Sequence, residues 1–167
     1  MTRKLRRLLP AGINPVPVLS LSLSGLVLCF FISFGGFYSN FSYHFNKITY
    51  YDEAGNRYFY ESARMTPLNE FHQTFDVFRI FFICMALLTL YFFIHHFMGA
   101  KSIYLMRRLK NPLELYIRCL VIPVASVLLG IALVYLLNFI FIEIYTSAVP
   151  EEYMYPWWNE NIWRDLL

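Results

Sequence analysis

Apolar residues fill three long runs of this chain, roughly Val16 to Tyr38, Phe78 to Met98 and Leu120 to Ile142, and polar residues crowd the segments between them. A helix needs about 20 apolar residues to cross a hydrocarbon core of about 30 Å. The pattern therefore predicts an all-α integral membrane protein with three transmembrane helices in a single membrane domain over residues 1–167. Three spans put the two termini on opposite sides. Composition agrees: at 58% hydrophobic, 20% aromatic and 15% charged, the chain carries more apolar surface than a soluble domain of this size buries.

The segments between the runs have patterns of their own. In the loop 39–75, Lys47–Tyr51 and Arg57–Glu61 are rich in β-branched and aromatic residues, and Asp52–Asn56 between them tolerates a tight reversal. This predicts an external β-hairpin, marginal alone and so packed against the C-terminal tail or a partner. Thr66 followed by Pro67 reads as a helix cap and first position. On that reading the second helix starts well outside the membrane and runs unbroken from Pro67 toward Phe97. Gly35 and Gly36 are expected to loosen the outer end of the first span. Asn111-Pro112-Leu113-Glu114 repeats the start signal, with Glu114 three residues after the cap.

Small residues four apart let helices approach closely in lipid. Ser20 with Ser24, and Ser126 with Gly130, form two such pairs. Asn138 is expected to find an interhelical hydrogen bond, and Glu143 to sit solvated near the interface. The external tail 147–167 holds all three tryptophans, at Trp157, Trp158 and Trp163. Those rings suit either an interfacial belt on the outer leaflet or a partner-binding strip.

Charge sets the sidedness. Of the 14 Lys and Arg, Arg3, Lys4, Arg6 and Arg7 precede the first span, and Lys101, Arg107, Arg108, Lys110 and Arg118 lie between the second and third. Short basic loops stay in the cytoplasm, so the N-terminus is expected inside and the C-terminus outside, in the cell membrane. The net charge of +3 then faces anionic lipid and does not point to nucleic acid. The first run is too long for a signal-peptide core and is followed by no Ala-x-Ala-like site, so it is read as retained. None of Cys29, Cys84 and Cys119 falls in an external segment, which predicts no disulfides.

The sequence offers little catalytic chemistry. It has no Gly-x-x-x-x-Gly-Lys-Ser/Thr loop, no Gly-x-Ser-x-Gly elbow and no His-Glu-x-x-His pair. His95 and His96 are helix neighbours about 100° apart and poorly placed to share one ion. No enzyme activity, cofactor or metal is expected. The inner loop 99–118 is more informative. At helical spacing Leu105, Met106 and Leu109 share one side and Tyr104, Arg107 and Arg108 the other. This describes a short cytoplasmic amphipathic helix, either a lipid-headgroup anchor or a docking element for a soluble partner.

The run Lys101-Ser-Ile-Tyr-Leu-Met-Arg-Arg-Leu-Lys-Asn-Pro-Leu-Glu-Leu115 is similar to a pattern in the permease subunits of type 2 ABC exporters. There a charged residue, a short amphipathic coupling helix and a Pro-containing break precede the next span. The resemblance implies a coupling helix that docks on a separate cytoplasmic ATP-binding subunit, with Tyr104, Leu105, Arg107, Arg108 and Leu109 as contacts. It also implies other transmembrane subunits as partners. The chain departs from that family in having three spans rather than six, with a hairpin and aromatic tail added outside. It is thus expected to couple transport without enclosing a substrate path alone. The alternative expectation is a non-catalytic accessory or scaffold subunit that stabilises another membrane complex. A neighbouring gene for a Walker-type ATPase separates the two.

Overall fold

The computed structural model describes residues 14–98 and 113–155. In chain order they form helix α1 (Pro15–Ile48), strands β1 (Thr49–Tyr51) and β2 (Arg57–Phe59), a 3-10 helix (Leu68–Phe75), helices α2 (Asp76–Met98) and α3 (Leu113–Ala148), and a 3-10 turn (Glu151–Tyr153). Three helices are long and apolar enough to cross a membrane, as the hydropathy predicts. The chain divides into two compact units, one from Met1–Cys29 and Phe78–Leu133, the other from Phe30–Val77 and Val134–Leu167.

In the first unit each helix buries a single stripe. Ser22, Leu26 and Cys29 face inward from α1, Phe81 and Met85 from α2, and Ile122 and Ser126 from α3. These steps of three and four residues keep one helical face inward. The remaining faces carry Leu21, Leu28, Ile83, Leu87, Leu128 and Leu129, all exposed. An exposed apolar surface of this kind has no place in water and suits lipid. Ser126 donates to the Ile122 carbonyl at 2.9 Å, so its hydroxyl is satisfied within α3. Gly130 brings α3 close to α2, because a Cβ there would lie 2.7 Å from Phe82 Cε1.

The second unit is built around phenylalanines. Phe37 stacks on Phe141 and meets Phe71 edge-on, and Phe75 lies against Phe141 at 5.6 Å. Phe41 continues the row toward Tyr145. The order of these pairs makes α1 and α3 run parallel here. Ser33 donates to the Thr74 carbonyl at 2.6 Å, which ties α1 to the end of the 3-10 helix.

Several sequence expectations change. Helix α1 does not end near Tyr38 but runs unbroken through Gly35 and Gly36 to Ile48. Burial of Phe37, Phe41 and Phe45 on one face holds this last stretch helical, although its exposed positions include the polar Ser39, Asn40, Asn46 and Lys47 beside the exposed Tyr43. Its terminal carbonyls are taken up by the hairpin: Ile48 accepts from Tyr60 N–H at 3.0 Å and Phe45 from the Thr49 hydroxyl at 3.0 Å. The second helix is likewise not one continuous rod from Pro67. Residues Leu68–Phe75 are 3-10, and only from Asp76 is the helix α. Thr66 does not cap it, since no side-chain hydrogen bond caps the 3-10 helix. Its hydroxyl is bonded to His44 Nδ1 instead, at 2.8 Å. The Ser20 and Ser24 hydroxyls, expected at a helix contact, are exposed and bonded to the Pro17 and Leu21 carbonyls. Of the cap signal Asn111-Pro112-Leu113-Glu114, the first two residues lie outside the described residues, and α3 is described from Leu113.

Candidate functional site

The residues expected to form the coupling contact, Tyr104, Leu105, Arg107, Arg108 and Leu109, lie outside the described residues, as does the tryptophan tail from residue 156 onward. What is described is the pair of helix ends on either side of residues 99–112. Phe93 of α2 faces Tyr116 of α3 with ring centroids 5.7 Å apart. Beside them Phe92, Cys119 and Ile122 form a buried cluster with Val18, Leu19 and Leu88 packed against it. With Phe82 opposite Gly130 further along, α2 and α3 run antiparallel in this unit. The segment 99–112 thus joins two helix ends that are fixed against each other.

The hairpin is the second candidate. Its register pairs Thr49 with Phe59, Tyr50 with Tyr58 and Tyr51 with Arg57. Alternation along a strand sends neighbours to opposite faces. One face turns inward: Thr49 is buried, and Phe59 packs on Phe45 and stacks on Tyr153 at 4.7 Å. Arg57 belongs to this face. Its guanidinium lies 5.0 Å from the centroids of both Phe45 and Tyr51 and donates to the Tyr51 hydroxyl. The expected packing of the hairpin against the start of the tail is therefore present.

The other face presents Tyr50, Tyr58 and Tyr60, which are 42%, 45% and 50% exposed. Their rings touch, Tyr50 to Tyr58 at 5.8 Å and Tyr50 to Tyr60 at 4.9 Å. Asp52 opens the turn, donating its N–H to the Asn56 carbonyl at 2.9 Å and accepting from Glu53 N–H through its carboxylate at 2.8 Å. Gly55 takes φ 81°, a left-handed value that a side chain resists, and this lets the turn close over so few residues. Tyr51, on the face of Phe59, is itself 59% exposed, so the cover that Phe59 and Tyr153 give this face does not reach the turn end of the strands.

A third cluster knits this unit together at Thr66. Besides the His44 bond, the Thr66 carbonyl accepts from the buried Tyr145 hydroxyl at 3.1 Å, and Met65 N–H donates to the Tyr153 carbonyl at 2.9 Å. Two consecutive residues thus connect α1, α3 and the tail, and sequence reading missed this because none of the partners is close in the chain. The role is structural, since the Thr66 hydroxyl is bonded to His44 Nδ1 and the Tyr145 hydroxyl to backbone. Asn138 is buried, and its Nδ2 makes no hydrogen bond, contrary to the expected interhelical bond. Glu143 is exposed. Among the described residues no group of three His, Cys, Asp or Glu is placed to hold a metal, and the cysteines are free. No protein-family model, curated protein or solved structure matches the chain.

Proposed function

We propose that this protein is a three-span subunit of an ABC-type transport complex, with its N-terminus in the cytoplasm and its C-terminus outside. It couples to a separate cytoplasmic ATPase through Tyr104, Leu105, Arg107, Arg108 and Leu109. The observation that carries this reading is the packing of Phe93 against Tyr116 above the buried Phe92, Cys119 and Ile122 cluster. A docking element transmits force only if its two ends are held by rigid elements, and the segment 99–112 is short and begins and ends at such a pair. The basic residues at Arg107 and Arg108 suit carboxylates on a soluble partner, and Tyr104 beside them adds a rigid contact surface.

A second reading, an accessory subunit that only stabilises a membrane complex, draws support from a different observation. Among the described residues the buried polar side chains are Ser22, Ser33, Thr49, Ser126 and Asn138, and none is charged. Such an interior lacks the acids and bases with which membrane proteins usually line ion paths. Both readings agree that other transmembrane subunits complete any route for substrate.

One purification separates them. In Arg107→Glu with Arg108→Glu the ATPase is expected to be lost from the complex while the three helices still insert, and Tyr104→Ala is expected to weaken coupling alone. Lys at both arginines keeps the attraction to lipid but loses the planar donor fork. Retention of the ATPase by the Glu variant, with wild-type behaviour of the Lys variant, assigns the segment to lipid and leaves the accessory reading.

A further inference from the structure

Exposed tyrosines gather where the second unit leaves its apolar stretch. Along α1 the exposed positions Phe31 and Ile32 are apolar, and after them come Tyr38 at 61% and Tyr43 at 66% exposure. Tyrosine favours the headgroup level, where one end of the side chain is in an apolar medium and the other is wet. At about 1.5 Å per residue the two rings stand about 8 Å apart along the helix axis, and the headgroup layer adds about 5 to 8 Å beyond the hydrocarbon on each side. Tyr38 and Tyr43 therefore bracket that layer. Lys47 is exposed one turn beyond Tyr43 on the same face, where its long stem lets the ammonium reach lipid phosphates.

The hairpin is held at this height. Its covered face packs on Phe45, with the Phe59 ring centroid at 5.8 Å and the Arg57 guanidinium at 5.0 Å, and Phe45 stands only about 3 Å beyond Tyr43 along the axis. Tyr60 N–H donates to the Ile48 carbonyl at 3.0 Å, which fixes the open end of the strands to the end of α1. The opposite face carries Tyr50, Tyr58 and Tyr60 as one contiguous patch of rings. From residue 43 to residue 64 the exposed charges are Lys47, Arg57 and Arg64 against Asp52, Glu53 and Glu61, three of each sign. A surface with no net charge does not select a strongly charged partner. It does suit phospholipid headgroups, whose phosphates meet Lys47 and whose amines lie over ring faces.

We infer that Tyr50, Tyr58 and Tyr60 of the hairpin, with Tyr43 and Lys47 of α1, form a contact surface for the phospholipid headgroups of the leaflet from which α1 emerges. The hairpin then acts as a stop that sets how deep α1 sits. Drawing it inward would take the exposed Asp52, Glu53 and Arg57 out of water, and drawing it outward would strip the rings of their interface. The inference rests on the membrane reading of α1 and holds whichever side the N-terminus occupies.

The test places photoreactive p-benzoylphenylalanine at Phe31, Tyr43, Tyr58 or Tyr60 of the full chain and illuminates native membranes before any detergent is added. Adducts are identified by mass. Phe31, 65% exposed in the apolar stretch, is expected to give phospholipid adducts and so reports on the membrane reading alone. Tyr43, Tyr58 and Tyr60 are expected to give them too. Tyr58 and Tyr60 are probed separately, so that a replacement that unfolds the hairpin at one position does not decide the outcome at the other. Phospholipid as the main adduct at either hairpin position upholds the inference. Lipid adducts at Phe31 and Tyr43 with none at Tyr58 and Tyr60 overturn it and leave α1 in the membrane. Adducts mainly to another protein, to a second copy or to residues 156–167 overturn it as well, since the face then has a different occupant. No lipid adduct at Phe31 overturns the membrane reading of α1, and the inference with it.

Discussion

Phe37 of α1 and Phe141 of α3 stack with ring centroids 3.8 Å apart and planes inclined by only 7°. Aromatic pairs by themselves favour offset or edge-to-face arrangements over so close a parallel stack. Here the edges are supplied by other rings, Phe71 edge-on to Phe37 and Phe75 tilted against Phe141. Both stacked residues are buried, so the pair acts as the keystone of the second unit. Phe141→Ala is expected to cost about 3–5 kcal/mol, the range for emptying a buried aromatic site. Phe141→Leu is expected to cost clearly less. Thermal unfolding in detergent checks this, and equal midpoints for the two variants would remove the ring from its central place.

Two glycines are expected to respond oppositely to alanine. At Gly130 the new methyl meets Phe82 at 2.7 Å and Leu26 Cδ2 at 3.5 Å, an overpacking that costs about 1–3 kcal/mol. At Gly35 nothing lies within 4 Å, so alanine there gains about 0.5–1 kcal/mol of helix stability. Comparison of the two midpoints with wild type settles the signs.

Thr66 is tied through its side chain to His44 and through its carbonyl to Tyr145. Thr66→Val and Tyr145→Phe are each expected to destabilise by about 1 kcal/mol, and by more if the buried group left behind stays unsatisfied. Because the two bonds meet at one residue, the double variant is expected to depart from additivity. A strictly additive cycle would mean that the two bonds act independently.

Topology is checked in a background with Cys29, Cys84 and Cys119 each changed to Ala. Ala54→Cys, in the hairpin turn, is expected to react with an impermeant thiol reagent in intact cells. Ser102→Cys is expected to react only after permeabilisation. The reverse pattern would invert the protein and move the coupling residues outside.

The sequence by itself determined that three helices can span a membrane and that a hairpin follows the first. These features follow from local pattern: run length against bilayer thickness, and β-branched and aromatic runs flanking Asp52–Asn56. It also singled out the basic loop 99–118 as the expected docking segment, most of which lies outside the described residues. What it did not determine is where the elements stop. Gly35, Gly36, Ser39 and Asn40 lower helical preference, yet α1 continues because Phe37, Phe41 and Phe45 gain more from burial than those positions lose. Thr66 and Pro67 carry a cap signature, but His44, distant in sequence, takes the hydroxyl. Strand alternation divides the hairpin into two faces without saying which one is covered. Only the tertiary structure decided that, by seating Phe59 between Phe45 and Tyr153 while Tyr50, Tyr51, Tyr58 and Tyr60 stay exposed, because a residue is buried by what packs on it and not by its own pattern.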